Sequence, residues 1–418
     1  MSAAGPLKSR IVAFDGLRGV AAFIVIVSHF VLVFTPVWFT GSAGLDWSAP
    51  DIFAKTPLFL LQSGTFAVFV FFALSGFVMA QSAALSRAPL LALAVTRYLR
   101  LNVPVLASIG FALVLIALFP GAVVAVAEKV GHGWVASWYR PDGPSVGAAV
   151  FDALRVNYKT TLYYNPVVWT MKVELIGSLV VYVVYKAVPP RWRVPVLAAG
   201  LLFAFVENGT EGYLFGFFGG ALVYEHWVRG RGFPVPLLWA ALAAGLLLGG
   251  VPVAAPRGPA YEWLYVALDP VSDPDLSIRN IGALLLLVGV LYLPAPRALL
   301  ATMAPRFLGR ISFALYLVHF PILCTLVAAV WLRIGPDHQW LLFAGYAAVT
   351  LAAAWLLTVA VDEPAIRLLA RARKWSQGWT GALAYGTGQH PSGTVGQPSL
   401  EPAGPAKAPP AERASGTP

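Results

Sequence analysis

Ten stretches of this chain are apolar over most of their length and are separated by polar or basic connections: 11–34, 59–80, 103–126, 167–188, 194–206, 213–228, 235–255, 278–293, 311–332 and 341–361. A helix needs about 20 mostly apolar residues to cross a bilayer, and most of the ten meet that length. The fifth and sixth are short. Of 418 residues, 58% are hydrophobic and only 11% charged, against about 25% charged in ordinary globular chains. A water-facing surface cannot be built from so few charges. The expected fold is therefore all-α, a polytopic membrane bundle of about ten transmembrane helices filling residues 1–375, with no soluble catalytic domain left over. Residues 376–418 are rich in Pro, Gly, Ala and Ser without periodicity, which reads as a disordered tail.

The net charge is +10. In a soluble chain such an excess would suggest nucleic acid. Here the basic residues stand between apolar runs, where they report orientation, and the partner is the lipid bilayer. With ten spans, seventeen Lys and Arg fall on one side and eight on the other. The positive-inside rule then places both termini in the cytoplasm and the chain, multi-pass, in the cell's inner membrane. Lys8 and Arg10 precede the first run as in a signal peptide. That run exceeds the usual 7–15 apolar residues and carries Asp15, Arg18 and His29, so it reads as a retained span. Cys324 is the single cysteine and is expected to pack.

A charge at the bilayer centre costs roughly 2.5–3.5 kcal/mol on insertion scales, so ionisable groups within spans are functional candidates. They are few: Asp15, Arg18 and His29 in the first run, Lys172 and Glu174 in the fourth, and His319 in the ninth. On a helix turning about 100° per residue, Arg18 and His29 align within roughly 20°, and Asp15 joins the same face. His29 lies about 16 Å farther along the axis. Such a stripe either ties helices together or serves chemistry. Glu174 falls at a depth close to that of His29. A carboxylate there can orient an imidazole, which can take a proton from a hydroxyl. Lys172 is about 200° round the helix from Glu174 and cannot pair with it.

Arg97 and Arg100 share one face before the third run. They are either ordinary topology charges or a pair of forks able to hold a polyphosphate. Tyr316 and His319, three residues apart, either pack or line the same cavity. Trp134, Trp138, Tyr139, Tyr163 and Tyr164 form either an interfacial belt or a stacking surface for sugars. No phosphate-binding glycine loop, dinucleotide fingerprint or zinc-ligand spacing is present, and no metal site is expected.

Six sequence landmarks resemble those of the integral-membrane acyltransferase family 3, in the family's order. They are Phe14–Asp15–Gly16–Leu17–Arg18–Gly19 with His29 eleven residues after the arginine, the Phe71–Phe77 segment containing Ser75, and Arg97–Tyr98–Leu99–Arg100. Trp169–Thr170–Met171–Lys172–Val173–Glu174 follows, then Gly309–Arg310–Ile311–Ser312 leading to Tyr316 and His319, and finally Asp362–Glu363–Pro364. The departures are Phe69 and Lys172, where the family pattern is commonly polar or small, and Asp362, where it has glutamate.

The resemblance implies transfer of an acyl group, acetyl in the simplest case, from cytoplasmic acyl-CoA to a hydroxyl of a sugar or polysaccharide. No cofactor is held tightly. Read onto this chain, Arg18, Arg97 and Arg100 bind the donor, His29 is the general base and Glu174 orients or charge-balances it. Asp15, Ser75, Trp169, Tyr316 and His319 are cavity-lining candidates. The competing expectation is a transporter or flippase of a lipid, sugar or proton. It is disfavoured because the two halves show no paired Gly/Pro-interrupted spans.

Overall fold

The computed structural model describes residues 11–42, 48–131, 133, 135–136, 143–158, 163–207, 210–252, 259–267 and 273–371. The expected tail, Trp134, Trp138, Tyr139, Lys8 and Arg10 lie outside the described residues. Within them the chain is helical, without strands.

Each apolar run corresponds to a helix: α1 Val12–Phe34, α2 Gly64–Leu85, α3 Leu90–Leu118, α4 Pro166–Ala187, α5 Pro190–Glu207, α6 Phe215–Val228, α7 Val235–Gly249, α8 Pro274–Tyr292, α9 Met303–Ile334 and α10 Pro336–Arg371. Among the described residues seven of these are long and apolar enough to cross a membrane: α1 to α4 and α8 to α10. The other three have 18, 14 and 15 residues. Large side chains such as Leu106 and Val114 on α3, Phe203 on α5, Trp239 on α7 and Leu356 on α10 are exposed. Apolar surface on that scale is stable only against lipid or another protein.

The third run shows the clearest departure from the sequence reading. Its helix begins at Leu90, not near residue 103, and stops at Leu118, with Ala122–Val130 forming a separate short helix. Arg97 and Arg100 therefore sit inside α3, not on a connection. The preceding segment is amphipathic, and Arg can keep its stem on apolar surface while its head reaches a polar cavity.

Two π-helical turns interrupt the last two helices, at Leu323–Val327 in α9 and Thr358–Asp362 in α10. The first follows Pro321, whose missing N–H leaves the Leu317 carbonyl without its helical donor. Asn165 Nδ2 takes that place at 2.8 Å. The second ends on Asp362, and such turns often mark functional positions.

Glycines set the helix spacing near the polar residues. A Cβ on Gly19 would overlap the Gly309 backbone, one on Gly309 would overlap Asp15, and one on Gly16 would overlap the Leu300 carbonyl. Without a hydrophobic drive between helices in lipid, close backbone approach through small residues is a main source of association. It presses α1 against α9 and brings the polar face of α1 to the face of α9 that carries Tyr316 and His319. Gly76 and Gly220 do the same for α2 and α6.

Candidate functional site

A cavity of about 880 Å³ lies among α1, α2, α3, α4, α9 and α10. Its polar wall is built by Asp15 and Arg18 from α1, Ser75 from α2, Arg97 and Arg100 from α3, Thr170 and Glu174 from α4, Arg310 and Tyr316 from α9, and Asp362 and Glu363 from α10. Exposure shows where it opens. The Arg310 side chain is 53% exposed and that of Arg100 29%, but Arg97 falls to 13% and Tyr316 and Thr170 are buried. The mouth lies near Arg310 and the closed end at Tyr316 and Thr170.

The wall carries four guanidiniums and four carboxylates, and most are matched. Arg97 forms an ion pair with Glu174, whose other oxygen accepts from Ser75 Oγ at 2.9 Å. Arg97 Nε also donates to Ser178 Oγ at 2.9 Å. Arg100 pairs with Asp362 and lies over the Phe313 ring. Arg310 pairs with Glu363 at 2.8 Å. Arg18 differs: among the described residues it has no hydrogen-bond or ion-pair partner, although Asp15, Glu174, Arg97 and Arg100 are within electrostatic reach. An arginine so placed is suited to an anionic ligand entering the cavity.

At the closed end the Tyr316 hydroxyl donates to the Val167 carbonyl at 2.8 Å and accepts from Thr170 Oγ1 at 3.1 Å. One turn farther along α9, the fully buried His319 meets His29. His29 Nδ1 and His319 Nε2 are 2.9 Å apart, and the rings stack at 5.1 Å and 22°. Phe320 abuts His29 edge-on at 5.2 Å.

Of the residues singled out in the sequence, Asp15, Arg18, Ser75, Arg97, Arg100, Glu174 and Tyr316 line this cavity. His29 and His319 form a pair beyond its closed end. Trp169 is outside the lining, with its ring against Tyr213 at 5.3 Å. The expected coupling of Glu174 to His29 is not what the structure shows. The carboxylate bonds to Ser75 and Arg97, because in a weakly polar interior a buried anion takes the nearest cation, and Arg97 reaches it from α3. Likewise Arg97 and Arg100 are not unpaired forks. Asp362, Glu363 and Thr170 are site residues that the sequence reading did not single out. The acidic pair was visible in the closing motif, but nothing in the sequence ties it to an arginine 262 residues away. Among the described residues no three ligating side chains converge to hold a metal ion.

The sequence model of a family described as "Acyltransferase domain" matches residues 11–359. An acyltransferase of Cochliobolus lunatus, clz18, is 24% identical, covering 83% of this chain and 91% of its own. Acyltransferase R4 of a Phoma species is 26% identical over 73% of this chain and 81% of its own. The O-acetyltransferase PaAT-1 of Phomopsis amygdali is 27% identical over 84% and 80%. No solved structure is significantly similar to the chain.

Proposed function

Because the chain belongs to acyltransferase family 3 and is a membrane O-acyltransferase, we propose that it moves an acyl group, acetyl first among the options, from cytoplasmic acyl-CoA to a hydroxyl of a carbohydrate acceptor. The observation that carries this reading is the placement of a cavity lined by arginines and carboxylates, open at one end, whose closed end lies one helical turn from the paired imidazoles of His29 and His319.

In this reading the cavity mouth faces the cytoplasm, with both termini, in the cell's inner membrane. The donor's phosphates meet Arg100 and Arg97 near the mouth. Each guanidinium has five N–H donors, so pairing with a carboxylate leaves others for phosphate oxygens. Arg18, which has no hydrogen-bond or ion-pair partner among the described residues, adds a further guanidinium to the wall. Glu174 serves by charge balance: it holds Arg97 in the wall and keeps the site from becoming strongly cationic when empty. The thin pantetheine arm then carries the thioester toward Tyr316 and the histidines.

The acceptor hydroxyl oxygen attacks the thioester carbonyl carbon while its proton passes to His29, a general base of the kind that contributes about 10²–10⁴-fold. The C–S bond breaks as the new C–O ester bond is completed, and the CoA thiolate leaves and takes up the proton. Tyr316 and Thr170 stand between cavity and imidazole, so the thioester must displace their contact to react.

The test is incubation of the purified, lipid-embedded protein with acyl-labelled acetyl-CoA and carbohydrate acceptors. The reading requires release of free thiol together with label on an acceptor oxygen. Acyl-CoA left intact with every acceptor, beside transport of a solute across proteoliposomes, would overturn it.

A further inference from the structure

The histidine that faces His29 makes a second set of contacts that decides where the protons lie. His319 Nδ1 is 2.7 Å from the Tyr316 carbonyl oxygen and 3.2 Å from that of Leu315. A carbonyl oxygen only accepts, so Nδ1 must carry hydrogen. In a neutral imidazole the other nitrogen then bears the lone pair. That nitrogen, Nε2, is 2.9 Å from His29 Nδ1, which must therefore donate. His29 is left with its hydrogen on Nδ1 and its lone pair on Nε2.

The opposite arrangement would aim a lone pair of His319 at two carbonyl oxygens in a fully buried position, where an unsatisfied polar contact is costly. The planes of the two imidazoles are tilted by 22°, with Phe320 against His29 and Tyr316 against His319, and the direction of the hydrogen bond between them is set by the carbonyls at Nδ1 of His319. From these contacts we infer that His319 is a positioning residue for the acyl transfer proposed above. It fixes His29 in the tautomer whose Nε2 accepts the acceptor's proton, and the anchor is the peptide carbonyls of α9, not a carboxylate.

The proton bookkeeping is simple. When Nε2 of His29 takes the hydroxyl proton, the ring becomes an imidazolium with hydrogen on both nitrogens. Nδ1–H continues to donate to His319 Nε2, a hydrogen bond now strengthened by charge. No proton has to move onto His319, and none has to leave Tyr316 or Leu315. When the CoA thiolate takes the proton from Nε2, the starting tautomer returns.

The inference rests on the acyl-transfer reading but can be tested apart from it. The full chain has six histidines, few enough for nitrogen-15 NMR of histidine-labelled protein in lipid nanodiscs, with the His29 signals identified by their loss in His29→Gln. Wild-type protein should show His29 protonated at Nδ1 and unprotonated at Nε2. In His319→Leu, which removes the acceptor, that preference should disappear. In His319→Gln, whose Oε1 can accept from Nδ1, it should persist.

Kinetics give the second arm. His319→Leu should lower kcat by about 10²-fold or more, as expected when a base loses the group that sets its tautomer. The KM for acyl-CoA should stay within about twofold, the sign of an interaction that matters only in the transition state. His319→Gln should recover kcat to within roughly tenfold of wild type. Wild-type His29 protonated at Nε2, or a folded His319→Leu protein with undiminished kcat, overturns the inference and leaves the acyl-transfer reading standing. If wild-type protein never consumes acyl-CoA, that reading fails and takes the catalytic role of His319 with it, while the spectrum still tests whether His319 sets the tautomer of His29.

Discussion

Arg97 of α3 donates to the carboxylate of Glu174 on α4, with Ser75 of α2 holding the other oxygen. Three helices thereby meet at one buried charge pair in the cavity wall. Removing one member of such a pair leaves an uncompensated charge in a weakly polar interior, a loss of about 3–5 kcal/mol. Arg97→Met and Glu174→Met should each lower the thermal midpoint of the detergent-solubilised protein sharply. The double variant should be less destabilised than the sum of the two. A strictly additive double variant would show that the pair does little for the fold.

Arg100 and Asp362 join α3 to α10 at a more open level of the same wall, where Arg100 also covers Phe313. Because its side chain is more exposed than that of Arg97, Arg100 is the better placed to give N–H groups to an entering phosphate. Arg100→Met is expected to raise the KM for acyl-CoA about tenfold, the equivalent of one charged hydrogen bond, with a smaller change in kcat. Inhibition by free CoA should weaken in parallel. An unchanged KM would place the donor's phosphates elsewhere, with Arg18 the next candidate.

His29→Ala should remove useful turnover, by about 10²–10⁴-fold, while the protein still accumulates in membranes and still binds CoA. The contrast with Arg100→Met is informative, because one variant should lose kcat and the other affinity. Wild-type-like acylation by His29→Ala would end the assignment of the base.

The sequence made the helices legible because burial in lipid forces long apolar runs, and it exposed the site because polar residues in such runs are conspicuous. Asp15, Arg18, Glu174 and His29 stand out for that reason alone. Their partners were not legible. Sequence alone pairs His29 with Glu174 because depth along two helices is all that it offers, and residues at one depth can still face different neighbours. The pairing of His29 with His319 and of Arg100 with Asp362 depends on how α1, α3, α9 and α10 pack. The start of α3 at Leu90 is hidden for a related reason: an amphipathic helical segment before an apolar run looks like a connection when only hydropathy is followed.

Gly19 of the first motif and Gly309 of the ninth-run motif lie against one another's helices. In the sequence they are part of a resemblance, while in the structure they have a physical task. Gly19 and Gly309 let the backbones of α1 and α9 touch, and a Cβ at either would collide with main-chain atoms that have no rotamer to relieve it. Ordinary overpacking costs about 1–3 kcal/mol because neighbouring side chains shift; here a whole helix must move, taking His29 away from His319. Gly19→Ala and Gly309→Ala should therefore lower the yield of monodisperse protein, and whatever folds should lose turnover. Gly110→Ala and Gly345→Ala, at positions where a new Cβ meets nothing, should match wild type in both respects. Size-exclusion profiles of the four variants, read beside thiol release from acyl-CoA, check this. If Gly19→Ala proved as stable and active as Gly110→Ala, close contact of α1 with α9 would not be what brings the two histidines together.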